Sequence, residues 1–313
     1  MNGLGLLCGM DVNHKQGLVT KKFNNFFYVD TLESNRTKVP TRFLCKSRKN
    51  VYFKQNLIFV GDKVVISQIN LKDKTAIIEN LLERKNFLER PSVANISDIY
   101  IIHSVAEPKL NYAQLSHFLI NAEFMKVNVS LILTKSDLIS FEKNILLSEK
   151  FKKWGYKPRI LSLISQSPLL DFINELKTKK CSILVGPSGV GKTTLLNKII
   201  PDMNKATSSV SRKIKRGKNT TRNIELFQLS KESYIVDTPG FNIHNNYIEK
   251  NFIASLFPEF NNQIKKNDYR CKFRNCLHIN EPGCSLNRDF ERYKFYKDLV
   301  KNSKSHFHQN QED

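Results

Sequence analysis

The chain contains Gly186-Pro187-Ser188-Gly189-Val190-Gly191-Lys192-Thr193, which matches the spacing G-x-x-x-x-G-K-[ST]. Glycines at those positions let successive backbone N–H groups turn inward and cradle phosphate oxygens. A helix starting near Lys192 would add the positive end of its dipole. Lys192 then reaches the β- and γ-phosphates, and Thr193, with Thr194 beside it, presents a hydroxyl as a ligand for Mg²⁺. Downstream, Asp237-Thr238-Pro239-Gly240 follows an apolar run. An Asp at a strand end holds Mg²⁺ through water, and Gly240 offers its N–H to the γ-phosphate. Between the two motifs, residues 205–222 hold seven Lys and Arg and no acidic residue. Thr220 or Thr221 near its end is placed to close over Mg²⁺ when the γ-phosphate is present. The same stretch also reads as a basic loop for RNA phosphate.

Thr134-Lys135-Ser136-Asp137 resembles the guanine-reading [NT]-K-x-D of GTPases. A carboxylate at 137 accepts two hydrogen bonds from guanine N1 and N2, which adenine cannot match. The Lys135 stem would lie along the ring face. A polar turn capped by Asp137 is the plainer reading of the same residues. In a Ras-like GTPase the base reader follows the phosphate loop, whereas here it precedes it. A second base-side loop is expected in Ile160–Ser165, where Ser162 begins a degenerate S-A-x-x-G with Leu163 in place of Ala.

Cys271-x4-Cys276-x-His278-x5-Cys284 supplies three thiolates and one imidazole, the ligand set of a closed, structural Zn²⁺ site. Cys8, Cys45 and Cys181 are isolated, so the pattern suits a reduced cytosol and one metal site better than a disulfide framework. Lys265, Lys266, Arg270, Lys272 and Arg274 surround the cluster, which suits RNA contact.

These side chains need rigid elements beneath them. Residues 17–82 alternate short apolar runs with turns (Gly17–Val19, Phe26–Val29, Asn50–Phe53, Lys63–Ile66 and Thr75–Ile78), which predicts a small barrel. Residues 1–90 hold 16 Lys and Arg against 8 Asp and Glu. With Phe23, Phe26, Phe27, Tyr28, Tyr52 and Phe53, a basic barrel suits nucleic acid, and about half of these aromatics are expected in the core. Glu83–Pro91 reads as a linker or domain entry. From residue 98, strands (Asp98–Ile102, Val129–Leu133, Cys181–Val185) alternate with helices (Tyr112–Phe124, Leu169–Leu176, Lys192–Ile200). Asn223–Leu229 and Tyr234–Val236 add further strands. The alternation predicts a parallel sheet with helices on both faces. The tail from Asn302 is polar and expected to be disordered. The 313 residues carry a net charge of +21, which favours polyanionic partners. No run reaches the roughly 18 apolar residues of a membrane span, and Met1–Met10 lacks the leading charge of a signal peptide.

Taken together, Val60–Val64, Arg90–Asn95, Thr134–Asp137, Gly186–Thr194, Asp237–Phe241 and the cysteine cluster resemble the circularly permuted GTPases of small ribosomal subunit biogenesis. The resemblance implies a multidomain chain. Residues 1–84 would form an N-terminal OB-fold β-barrel that binds RNA. Residues 85–245 would form an α/β P-loop GTPase domain, a circularly permuted Ras-like fold. Residues 246–313 would form a small C-terminal zinc-binding, α-rich domain. It further implies a cytoplasmic, monomeric GTP hydrolase using GTP/GDP, Mg²⁺ and one Zn²⁺, with the small ribosomal subunit and its rRNA as partners and no membrane. Such a protein would assist late maturation and leave after subunit-stimulated hydrolysis. The chain departs from the family at Asn219, where a histidine often stands, and carries Phe241 where many GTPases have the water-orienting Gln. An ATP-driven RNA remodeller, or an RNA chaperone with a vestigial nucleotide site, is the competing reading.

Overall fold

In a computed structural model of the protein, residues 14–31, 40–48, 57–165, 167–201, 224–237, 248–267 and 271–303 are described. The chain divides into two compact units. The first comprises Met1–Ser97, Asn174–Ile183 and Leu196–Pro239, and the second Asp98–Ile173, Leu184–Leu195 and Gly240–Asp313.

The first unit opens with a five-stranded barrel of the OB type. Its strands are β1 (Lys15–Phe23), β2 (Phe26–Thr31), β3 (Arg42–Ser47), β4 (Lys63–Asn70) and β5 (Thr75–Leu81). They run in the order β1-β2-β3-β5-β4, and β4 pairs back onto β1 from Lys15↔Ile66 to Leu18↔Lys63. That closure removes the exposed edges of a flat sheet. Side chains alternate inward along each strand, so Val19, Phe27, Val29, Phe43, Ile66 and Ile78 fill the interior with no exposure. Of the barrel aromatics, Phe27 is core, Phe26 and Tyr28 are half-buried and Phe23 is exposed. Tyr52, Phe53 and the expected strand Asn50–Phe53 lie outside the described residues.

The segment Glu83–Pro91, expected as a linker or a domain entry, is folded. β6 (Phe87–Glu89) pairs antiparallel with β7 (Ser92–Ala94), and the amides of Asn86 and Asn95 bond the surrounding backbone. Gly61, at φ +88°, sits against this hairpin, where a Cβ would lie 2.1 Å from the Ala94 carbonyl oxygen. Only glycine fits there. Its neighbour Asp62, fully buried, accepts the Phe59 N–H and a bidentate pair from Arg84 at 2.6 and 2.7 Å. Also in this unit, the first three residues of β11 (Cys181–Val185) pair parallel with β13 (Tyr234–Asp237), and β12 (Glu225–Gln228) runs antiparallel to β13.

In the second unit, β8 (Asp98–Ser104), β9 (Asn128–Thr134) and β10 (Arg159–Ile160) are parallel, in the order β10-β9-β8. Every residue of β8 is buried, as expected of a parallel strand covered on both faces. α1 (Tyr112–Phe124) is capped by the Asn111 side chain, which accepts the Gln114 N–H at 2.9 Å. α2 (Phe141–Lys153) is capped by Ser140. Residues 167–173 of α3 (Ser167–Leu176) and 192–195 of α4 (Lys192–Ile199) belong to this unit as well. The C-terminal part holds α5 (Lys250–Ile253), α6 (Pro258–Asn267) and α7 (Tyr293–Asn302) around an aromatic core of Phe257, Phe260 and Tyr296.

Candidate functional site

The phosphate loop is built where β11 ends. Gly186, Gly189 and Gly191 take φ of +153°, +81° and +95°, which aims successive amides into the turn. A Cβ on Gly186 would lie 2.0 Å from the Ile102 carbonyl oxygen, so the loop sits down on β8 only because that residue is glycine. Val190 is fully buried and anchors the loop, while Ser188, Thr193 and Thr194 are exposed at its mouth and Pro187 is half-buried. The Lys192 ammonium lies over the turn, donating to the carbonyls of Gly186 at 2.8 Å and Pro187 at 2.5 Å. Burial lowers its pKa below the usual lysine value.

The turn at Thr134–Asp137, the candidate base reader, is tied to this loop. Thr134, the buried last residue of β9, donates its hydroxyl to the Val190 carbonyl at 2.6 Å, with the His103 carbonyl a second acceptor at 3.2 Å. Lys135 adopts a left-handed φ of +60° and sends its ammonium to the Glu107 carbonyl. Ser136, Asp137 and Leu138 form a 3₁₀ turn, and the Asn144 amide on α2 holds the Ser136 carbonyl at 3.1 Å. The Asp137 carboxylate is exposed, and one of its oxygens accepts the Ser162 hydroxyl at 2.7 Å. The loop after β10 therefore lies beside the base reader. Its Leu163 packs against Gly191, where an added Cβ would come within 3.1 Å.

Three supporting residues escape the sequence motifs. The Ser104 hydroxyl accepts the N–H groups of Ala106 and Glu107 at 3.2 and 2.9 Å, and so presents the Glu107 carbonyl to Lys135. His103 is fully buried beneath the loop. The only sequence signal for them is a polar His-Ser pair closing an apolar strand. Asp237 is the last residue of β13, in register with Glu225. Asn219, Thr220, Thr221, Gly240 and Phe241 lie outside the described residues.

The cysteine cluster converges on one point. The Sγ atoms of Cys271, Cys276 and Cys284 lie 3.5, 3.5 and 3.6 Å from His278 Nδ1, and Cys271 and Cys284 are 4.0 Å apart. All four ligand atoms fall within 4.8 Å of one another. Tetrahedral Zn–S and Zn–N bonds of about 2.3 and 2.0 Å would space such atoms about 3.5 to 3.8 Å apart. The donor set thus fits zinc and leaves no open position. The turn that carries His278 is braced from behind. Glu281 accepts the N–H groups of Leu277 and Ile279 at 2.9 and 2.8 Å, and the Tyr293 hydroxyl donates to the His278 carbonyl at 3.0 Å.

This metal module is fastened to the helices of its own unit. Arg292 is 2 % exposed and forms a bidentate pair with Glu259 on α6, at 2.7 and 2.6 Å. Its guanidinium lies over the rings of Trp154, Phe257 and Tyr156 at 4.8, 5.0 and 5.6 Å. Tyr156 in turn donates to Glu123 of α1 at 3.0 Å.

Comparison with known proteins agrees with this geometry. Residues 81–246 match the RsgA GTPase family. The chain is 40 % identical over 293 residues to the small ribosomal subunit biogenesis GTPase RsgA of Prochlorococcus marinus (strain NATL1A), covering 91 % of this chain and 93 % of that protein. It is 36 % identical to the protein of the same name from Synechococcus sp. (strain CC9311), covering 93 % and 95 %. Among solved structures it is similar to YjeQ from Thermotoga maritima, with TM-score 0.74 and 28 % identity over 92 % of this chain and 98 % of that one. It is likewise similar to YloQ, described as a circularly permuted GTPase, with TM-score 0.73 and 28 % identity over 93 % and 95 %. Among the described residues, no helix is long and apolar enough to cross a membrane.

Proposed function

The chain belongs to the RsgA GTPase family, and from that premise we propose that it hydrolyses GTP while bound to the immature small ribosomal subunit and leaves after hydrolysis. The observation that carries this reading is the 2.6 Å bond from Thr134 to Val190. It joins a base reader that comes first in sequence to a phosphate loop that comes second. One nucleotide would span both, with guanine on Asp137 and Lys135, Ser162 steadying the carboxylate, and the phosphates on residues 186–194.

Thr193, Thr220 or Thr221, and Asp237 through water would hold Mg²⁺, which supplies charge neutralisation at the β- and γ-phosphates. Lys192 provides a second positive charge there. Phe241 cannot hydrogen-bond an attacking water, and Asn219 can orient one but cannot act as a base. Intrinsic turnover is accordingly slow, and the bound subunit completes the site.

Residues 1–84 form the RNA-binding barrel, residues 85–245 the permuted GTPase domain, and residues 246–313 the module closed by Zn²⁺. Asp237–Gly240 precedes that module along the chain, so loss of the γ-phosphate would act on it without an intervening domain. The net charge of +21 suits rRNA, and affinity would fall steeply with salt. The protein acts as a cytoplasmic monomer. The test is GTP turnover with and without purified small subunits, with ATP as control. Maximal turnover by the isolated protein, unchanged by subunits, would sink the reading.

A further inference from the structure

Among the described residues, the metal module buries its aromatic rings, with one exception. Phe252, Phe257, Phe260, Phe290, Tyr293, Phe295 and Tyr296 all pack in or against its core. Phe273 stands outside that core and is 42 % exposed, the one exposed aromatic among the described residues of 248–303. It sits midway along the loop from Cys271 to Cys276, flanked by exposed Lys272 and Arg274. The Lys272 ammonium lies 5.7 Å from the centre of its ring. No acidic residue occurs between Cys271 and Asn280, and the carboxylate of Glu281 is taken up by the N–H groups of Leu277 and Ile279.

The loop that carries the ring is also tied by backbone hydrogen bonds. Cys271 and Cys276, two of the four candidate metal ligands, stand at its ends. The Phe273 carbonyl accepts the Cys276 N–H at 3.3 Å, and the Lys272 N–H donates to the Gly283 carbonyl at 3.1 Å. An exposed flat ring with the Lys272 ammonium near it and the exposed Arg274 next in sequence has the makings of a platform for a nucleic-acid base whose phosphates lie alongside. A ring left out purely for want of core space would need neither the paired cations nor the double anchoring.

We propose that Phe273 is a base-stacking residue that takes one unpaired RNA base, with Lys272 and Arg274 on the adjoining phosphates. This rests on the reading of the protein as an rRNA-bound GTPase, and it adds single-stranded RNA as the chemistry this module selects. A duplex keeps its bases stacked internally and offers none to the ring.

The test uses the full chain, with zinc content measured for every variant. The probe is a single-stranded RNA of about ten nucleotides carrying 2-aminopurine, alongside a duplex of the same sequence. Wild type is expected to shift the 2-aminopurine fluorescence on binding. Phe273→Leu, with zinc retained, is expected to bind the single strand about tenfold more weakly, with the duplex unaffected and the salt slope unchanged. Phe273→Trp is expected to restore binding, whereas Lys272→Gln is expected to lower the salt slope by about one. Equal single-strand affinity in wild type and Phe273→Leu overturns the proposal. So does a parallel loss on single strand and duplex, or a loss that Phe273→Trp does not restore with zinc intact. Subunit-stimulated GTP turnover is run in parallel. If wild type shows none, the functional reading fails while the RNA comparison still stands. If Phe273→Leu loses stimulation but keeps RNA binding, the ring meets ribosomal protein and base stacking is wrong.

Discussion

The hydroxyl of Thr134 donates to the carbonyl of Val190 at 2.6 Å, and both groups are buried. One bond thus ties the candidate base reader to the Gly186–Thr193 loop, across 56 residues of chain. Thr134→Val keeps the volume and removes the donor, which leaves a buried carbonyl unsatisfied at a cost of about 1–3 kcal/mol. GDP affinity is expected to fall about tenfold, because the two halves of the nucleotide site are no longer held in register. Thr134→Asn retains a donor and should bind nearly as wild type. Titration of a fluorescent GDP analogue checks both, and a Val variant with wild-type affinity removes the assigned role.

Asp137 presents a carboxylate steadied by Ser162 at 2.7 Å. Asp137→Ala is expected to lower the preference for GTP over ATP at least about 100-fold, since the lost pair of hydrogen bonds is what distinguishes the bases. Ser162→Ala leaves the carboxylate in place but frees its rotation, so only a few-fold loss is expected. Competition binding with GDP and ADP measures the ratio. Intact guanine preference in Asp137→Ala would mean that the base is read elsewhere.

The parts of this site that were legible in sequence are those whose chemistry demands particular residue types at fixed spacing. Phosphate requires the glycines and Lys192, guanine requires Asp137, and a tetrahedral metal requires the Cys/His set. Helix α1 was legible as well, because Leu115, Phe118, Leu119 and Ala122 stand at i, i+3, i+4 and i+7 and are all buried. Strand β3 was not, since only Phe43 and Cys45 point inward from its six residues. Helix α2 went unread because Phe141 and Leu146, which mark a core face in a pattern, are 74 % and 68 % exposed. Glu83–Pro91 reads as a linker or a domain entry because charge there conceals a hairpin held by the amides of Asn86 and Asn95. The tie to Val190 and the Glu107 perch for Lys135 use backbone carbonyls, which leave no trace in residue identity. Arg292 and Glu259 lie 33 residues apart, and a charge pattern alone reads them as solvated.

Removal of the metal is expected to unfold the C-terminal module. Four ligand atoms within 4.8 Å cannot stay together as three thiolates without a cation among them. Structural zinc contributes on the order of 10 kcal/mol to the folding of small domains. Cys276→Ser, or chelation, should abolish stoichiometric zinc and lower the first thermal transition, while GDP still protects the rest of the chain. Metal analysis combined with calorimetry reads this directly. Unchanged zinc content and an unchanged transition in Cys276→Ser would exclude the site.

Arg292 and Glu259 are 2 % and 3 % exposed, and each is the other's charge partner. Glu259→Gln leaves the guanidinium buried among Trp154, Tyr156 and Phe257 without a counter-charge, which costs about 3–5 kcal/mol. Replacing both residues, as Glu259→Leu with Arg292→Met, should recover much of that loss, because no orphaned charge remains. Urea denaturation of the two variants measures the difference. A single variant as stable as wild type would show that the pair is not what fastens the module.

His103 is fully buried in β8, and burial, assisted by the nearby Lys192 ammonium, lowers its pKa below the ordinary value of 6.5. The unfolded chain takes up a proton on this residue as pH falls through 6.5, while the folded chain refuses it until the pH is lower. The contribution of His103 to stability is therefore fully present above pH 6.5 and is lost progressively below it. His103→Gln removes that proton. Its unfolding free energy is expected to fall less steeply than that of wild type between about pH 6.5 and 5.5, even if it is less stable at pH 7.5. Denaturant titrations across that range, compared as slopes, isolate the residue from every other group that titrates in both proteins. Parallel slopes would mean that His103 takes up its proton equally in the folded and unfolded chains.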